Sequence, residues 1–451
     1  MVSSTSSLSF SRAAAMCMFS ALLFGATRSD GQNWPQFRGR DSRGVAESAK
    51  LPKTWSASEN VAWKTEIPGR GWSSPIVWGG RLFVTSVVDQ GAVEKPKKGL
   101  YFGGERPVPS SEQERKLYCL DVKTGKIRWE KTASHGPAQS SAHLKNSYAS
   151  ETPITDGKYV YAYFGNIGIF CYDMDGNLKW EAKLPAQKTR FGWGTAASPV
   201  LNGDRIYIVI DNEEQSNLIA LDKTTGKEIW RIPREEKTNW STPYIWKNDR
   251  RTEIVTAASG KVRSYNLDGK LLWWLSGMSS ITIATPYSEK GLLYVTSGYV
   301  GDRARPIYAI KPGAEGDISL KSGETTGPFI AWSDPVGAPY NPSTLTYDGR
   351  LYVLYDRGLL SCFDAVTGKR YYEKERLPQG SGFTSSPWAA NGLVYCLSED
   401  GVTHVVRAGD KFELVRSNVL TDDDMCMATP ALAGDRLIIR TATRIYCVRT
   451  P

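Results

Sequence analysis

Several features are missing from this chain, and their absence removes whole classes of function. No two cysteines are adjacent, and no CxxC or HxxxH spacing occurs among the 7 cysteines and 3 histidines of the 451 residues. A structural zinc site of the usual spacing is therefore excluded. There is no Lys/Arg block and no nucleic-acid-binding motif, so a nucleic-acid partner is excluded. No Ser-His-Asp order, no pair of carboxylates at a defined spacing and no phosphate-cradling glycine loop stands out. Helical periodicity is nearly absent, whereas Gly, Trp and Tyr (42, 15 and 22 residues) are plentiful, which suits many strands and turns.

The long apolar runs are also few. Arg12 is the sole charge ahead of the stretch Ala13 to Ala26, which is too short to span a bilayer and reads as a secretory signal. Small residues at Ser29 and Gly31 place cleavage before Gln32, giving a signal peptide over 1–31 and a secreted or periplasmic protein with no transmembrane segment after cleavage. No cysteine follows the apolar run, so lipidation is not expected. The formal charge of +9 falls to +8 with the leader, because Arg12, Arg28 and Asp30 leave with it. Such scattered charge describes a solvated surface.

What is present is a repeated sentence. LDVKTGKIRW (Leu120 to Trp129) recurs as LDKTTGKEIW (Leu221 to Trp230) and FDAVTGKRYY (Phe363 to Tyr372). Shorter versions run from Tyr172 to Trp180 and from Tyr265 to Trp274. A residue followed by proline opens each unit: Ser74-Pro75, Thr152-Pro153, Ser198-Pro199, Thr242-Pro243, Thr285-Pro286, Asn341-Pro342, Ser386-Pro387 and Thr429-Pro430. The prolines are spaced 78, 46, 44, 43, 56, 45 and 43 residues apart, and the long steps hold insertions. Four short strands in about 43 residues is the arithmetic of a propeller blade. The expected fold is therefore all-β: an eight-bladed β-propeller of four-stranded antiparallel blades.

The last unit lacks its Trp-bearing strand, and the N-terminal segment Glu59 to Ile67 carries a spare one. That segment is expected to complete the eighth blade and close the ring, covering otherwise open edges. Residues 32–58 form a lead-in, with Trp34 and Phe37 pinning it across the ring, and 59–451 form the propeller domain. The insertion Asp89 to Lys116 reads as a mobile excursion. Cys119, Cys171, Cys362 and Cys447 share one repeat position and read as small buried hydrophobes rather than bridge partners. No bridge between Cys396 and Cys426 is expected either. The blade tryptophans Trp63, Trp129, Trp180, Trp230, Trp273 and Trp332 also recur at one position and read as blade-to-blade packing.

In a propeller, the connection from one blade to the next crosses to the channel mouth. Those connections gather Trp72, Tyr148, Glu151, Arg190, Phe191, Trp193, Asn239, Trp240, Tyr340, Asn341, Phe383 and the acidic run Asp422 to Asp424. Of these, Trp72, Glu151, Arg190, Trp193, Asn239, Trp240, Tyr340 and Asn341 form the candidate ligand site. Aromatic walls with a few polar groups suit a small molecule or a sugar. The structural alternative is that these side chains only pack and cap the strand starts.

The D-x-x-TGK-x-x-W sentence in eight blades resembles the pyrroloquinoline-quinone-like (PQQ-like) repeat propeller family over residues 59–451. The resemblance implies the fold but leaves the chemistry open, since the family includes quinoprotein alcohol dehydrogenases and an outer-membrane assembly lipoprotein that is not an enzyme. In the dehydrogenases the quinone lies between a Trp floor and two adjacent cysteines, with Ca²⁺ held by Glu and Asn and an Asp as base. By resemblance, Glu151, Asn239 and Asn341 would be the calcium ligands and Arg190 a carboxylate partner. The cysteine pair is missing, and Asp422 to Asp424 is the sole place for the base. The readings that follow are a monomeric binding scaffold for a protein or an envelope polymer or glycan, with no catalytic residue, metal or cofactor; a PQQ- and calcium-dependent alcohol or sugar dehydrogenase; and a carbohydrate-binding propeller.

Overall fold

A computed structural model describes residues 33–47, 49–99, 101–378, 380–421 and 423–450, with Met1 and Val2. The expected signal peptide, apart from those two residues, and Asp422 lie outside the described residues. Gly31–Pro451 forms one compact unit. Its strands make eight sheets, and each contains four antiparallel strands.

The first blade shows the plan. Ile76–Trp78 lines the channel, Arg81–Asp89 and Glu112–Asp121 follow, and Ile127–Pro137 lies outermost. Inner strands are buried, and outermost strands alternate between exposed and covered residues, as a half-solvated sheet edge requires. In the eighth blade Ala431–Ala433, Arg436–Arg440 and Arg444–Val448 are joined by Val61–Glu66. Val61 pairs with Val448, Thr65 with Ile445 and Glu66 with Arg444, so the ring closes as the sequence predicts.

The repeated sentence works through one seam. The Asp121 carboxylate accepts the N–H groups of Lys123 and Thr124, and this turn puts Gly125 at φ +71°. The indole of Trp63, from the neighbouring blade, lies on that glycine and donates to the carbonyl of Val122. A Cβ on Gly125 would sit 2.4 Å from the indole, so both the backbone angle and the close approach require glycine. Trp129, Trp180, Trp230 and Trp332 repeat the donation to Met174, Lys223, Leu267 and Ala365. Trp273 does not. Its indole N–H donates to the buried carboxylate of Glu253, and a short parallel strand, Gly316–Asp317, covers the edge of its blade instead.

A second motif joins the blades at the channel. The N–H of Ser74 donates to the hydroxyl of Thr152, whose own N–H donates to Ser198, and that of Ser198 to Thr242. The chain resumes from Thr285 to Ser343, to Ser386, to Thr429, with bonds of 2.9–3.0 Å. The sixth blade's place in this ring belongs to Ser343, not Asn341. The Asn341-Pro342 landmark therefore sits two residues early, a correction that makes the last two repeat steps equal.

The six described cysteines are buried and unbridged. The lead-in crosses the end of the channel where the inner hairpins lie: Trp34 bridges to Val77, and Val45 to Ala389. Arg38 is buried, donates to the carbonyls of Thr344 and Arg43, and lies 5.0 Å from the Tyr287 ring centroid. Burial pushes its guanidinium down to about 10.

Candidate functional site

The opposite end of the channel holds a cavity of about 230 Å³. The hydroxyl ring lines it below, and Phe37 of the lead-in reaches it. Trp72, Trp193, Trp240, Tyr340 and Asn341, all expected at the mouth, line its wall. Trp193 and Trp240 lie with ring centroids 5.9 Å apart, and the Trp240 indole donates to the carbonyl of Gly194 at 2.7 Å.

The other three candidates face elsewhere. Glu151 is buried behind the wall, where one carboxylate oxygen accepts the Thr195 hydroxyl at 2.6 Å and the Gly165 N–H at 3.3 Å. Its second oxygen has no partner among the described residues, and burial pushes the carboxyl upward. The amide of Asn239 donates to Asp211 and its carbonyl accepts the Ser241 N–H. Asp211 is in turn paired with Arg234 at 2.9 Å, both side chains fully buried. Arg190 lies over the Phe191 ring and donates to the carbonyl of Ser280.

The remaining mouth residues also divide. Tyr148 lines a separate groove beside the cavity, together with Asp423 and Asp424. Asp423 is paired with Arg444, and Asp424 accepts from Thr441 and Thr443. Phe383 is buried beneath Gly358 and Gly380. Phe191 and Tyr148 both hold left-handed backbone angles, φ +55°, which cost of order 1–3 kcal/mol each and recur at functional sites.

The main surprise is the first-blade insertion. Far from projecting as a loose excursion, it returns across the mouth as a strap. Tyr101 lines the cavity, and its hydroxyl donates to the carbonyl of Asp356 at 2.5 Å. The N–H of Gly99 donates to Glu399 at 2.8 Å, and the Trp193 indole donates to the carbonyl of Gly104 at 3.3 Å. Phe102 packs on Phe191 and Trp193, with centroids 5.7 and 5.8 Å away. These anchors belong to blades three, six and seven.

The strap rests on a polar cluster that the sequence reading did not single out. Glu399 also accepts the Lys145 ammonium at 2.5 Å and the Thr384 hydroxyl at 2.6 Å. The Lys145 ammonium faces the Tyr101 ring at 5.1 Å. Asp356 accepts the N–H groups of Tyr340 and Asn341, yet burial dominates and pushes its carboxyl up to about 6. His143 packs edge-on to Trp193, and burial, reinforced by Lys145 and Arg106, pulls its imidazole down to about 4. A usable signal existed for the acids. Asp211, Asp356 and Glu399 stand twelve residues after Pro199, Thr344 and Pro387, where other blades carry Gly165, Gly298 or Val87. The misplaced sixth landmark hid that alignment.

Of the residues that the resemblance assigns to calcium and quinone, only Glu151 keeps a buried polar atom without a partner. The adjacent cysteines are absent, Asn239 is committed to Asp211 and Ser241, and Arg190 is committed to Ser280. Among the described residues, no three His, Cys, Asp or Glu side chains converge in an arrangement that could hold a metal. The arrangement is a roofed aromatic pocket with hydrogen-bonding groups at fixed places.

Comparison with known proteins agrees with the architecture. The BamB structure from Moraxella catarrhalis superposes with a TM-score of 0.53 at 13% identity, covering 80% of this chain and 99% of that one. A europium-containing methanol dehydrogenase superposes with a TM-score of 0.60 at 12% identity, covering 93% and 98%. At such identities the likeness is one of fold. A stretch of 130 residues is 30% identical to the serine/threonine-protein kinase AfsK of Streptomyces griseus, spanning 28% of this chain and 14% of that protein. Among the described residues, no helix is long and apolar enough to cross a membrane. The family model described as outer membrane protein assembly factor BamB matches residues 45–215, 169–302 and 330–448, and with eight blades closed by the N-terminal strand the chain belongs to that PQQ-like propeller family.

Proposed function

We propose that this chain is an exported, non-enzymatic propeller that serves as a binding scaffold for a protein of the cell envelope. One observation carries the reading: the mouth is already occupied by the chain's own strap, held by Glu399, Asp356 and Trp193. A rigid ring whose loops present fixed donors and acceptors is suited to recognition. The family description, an outer-membrane assembly factor, supports a protein partner. The leader expected over 1–31 supports export.

A quinone-dependent dehydrogenase is the second reading. The tilted Trp193–Trp240 pair and the unpartnered oxygen of Glu151 favour it. Titration of the purified protein with pyrroloquinoline quinone and Ca²⁺ separates the two. The scaffold reading expects no saturable change in absorbance or thermal midpoint and no dye reduction with alcohols. Saturable binding with turnover overturns it.

A further inference from the structure

Among the described residues the strap contributes no strand to any sheet between Asp89 and Glu112, so the blade ladders do not account for its path across the mouth. Its tip is instead held as a bound peptide would be. Two backbone groups, the N–H of Gly99 and the carbonyl of Gly104, are fixed by Glu399 and by the Trp193 indole. Two side chains between them are read separately: Tyr101 by the carbonyl of Asp356, Phe102 by edge-on contact with Phe191 and Trp193. Backbone bonds that set direction, with pockets for alternate side chains, are the usual division of labour in peptide recognition.

The site also specifies small residues. A Cβ on Gly99 would lie 2.8 Å from the carbonyl oxygen of Ser381, and one on Gly103 would lie 2.7 Å from the His143 ring. Gly99, at φ +71° and against backbone, requires glycine, and a side chain at Gly103 would have to displace the His143 ring. Phe102 remains 61% exposed, so one of its faces is still open.

We propose that the channel mouth is a peptide-recognition site, that the strap tip is its tethered occupant, and that a partner protein displaces the strap with a loop of the same chemistry, Gly-x-aromatic-aromatic-Gly. This rests on the scaffold reading and names the partner's contact segment. Tethering gives the strap an effective concentration of about millimolar, so an intact strap masks the site from a weak external peptide.

The test uses the full chain carrying Tyr101→Ala and Phe102→Ala, and a labelled synthetic peptide with the sequence of residues 97–106. Fluorescence anisotropy is expected to show saturable binding to the variant, and at least about tenfold weaker binding to the wild-type chain, whose strap competes. A peptide with Gly103→Val is expected to lose at least about tenfold in affinity. The milder Tyr101→Phe chain, which keeps both rings, serves if the double variant melts early, and its affinity is expected to lie between the other two. A folded variant that shows no saturation, or a Gly103→Val peptide that binds equally well, overturns the proposal. Failure here leaves a scaffold that works through another face, whereas quinone turnover would remove the scaffold itself.

Discussion

The two ends of the channel are closed in different ways. At one end the lead-in is built into the core: Trp34 and Trp55 are 5% and 2% exposed and pack in the same cluster as Trp388, Ile438 and Val448. At the other end the strap tip is held mainly by directed polar contacts, among them the hydrogen bonds to Glu399, Asp356 and Trp193 and the Lys98–Asp400 ion pair, with Phe102 half-open against Phe191 and Trp193. Apolar burial cannot be released piecemeal, because it is lost only when the core opens. Directed polar contacts on a segment outside the sheets can be released one at a time. The first closure therefore belongs to the fold, and the second is available for function.

That contrast can be broken by substitution. Trp55→Ala should cost about 3–5 kcal/mol in global stability, read as a lower denaturation midpoint at unchanged slope. An effect below about 1 kcal/mol would mean that the lead-in is as detachable as the strap. The combination Tyr101→Ala and Phe102→Ala should change global stability by less than about 1 kcal/mol while raising tryptic cleavage after Lys97 and Lys98 at least about tenfold. A matching fall in global stability would place the strap in the core. Tyr101→Phe removes one hydrogen bond worth about 1 kcal/mol, so cleavage should rise about fivefold and no more.

The smallest effect is a dependence on pH. His143 titrates near 4 in the folded chain against an ordinary 6.5, because burial and two nearby cations oppose its charge. Between those values the unfolded chain binds more protons, so His143 adds stability above pH 6.5 that is lost as pH falls towards 4. Asp356, raised to about 6 by burial, acts oppositely over nearly the same window: the folded chain binds the extra proton, and stability falls as pH rises from 3.8 to 6. The two contributions offset each other. His143→Gln removes one of them, so its thermal midpoint relative to wild type should improve steadily as pH drops from 6.5 to 4. A constant difference would show that His143 is not held neutral.

The closures also differ in how far the sequence revealed them. Blade number, strand order and ring closure follow from a motif that recurs, and repetition averages out local ambiguity. Asp121, Gly125 and Trp63 are legible because the same seam needs them at five junctions. Trp273 packs at the repeat position as expected but turns its indole N–H to Glu253 rather than to the next blade, a difference the repeat pattern does not carry. The cavity wall could be collected by topology alone, which brought together Trp72, Trp193, Trp240, Tyr340 and Asn341. Topology does not say where a side chain turns, so Glu151, Arg190 and Asn239 were gathered with them although each is committed elsewhere. The strap was illegible. It occurs once, its partners are spread from Lys145 to Glu399 on different blades, and nothing in its Gly- and Lys-rich composition points across the ring.

The pairing of Val61 with Val448 has a consequence for manufacture. Val61–Glu66 is made long before Arg444–Val448 and has to wait, unmatched, until that neighbour has emerged. Until then the hoop is an open horseshoe with two unpaired lips. Fastening them joins two strands from distant parts of the chain, and loss of Arg444–Val448 would leave the clasp undone.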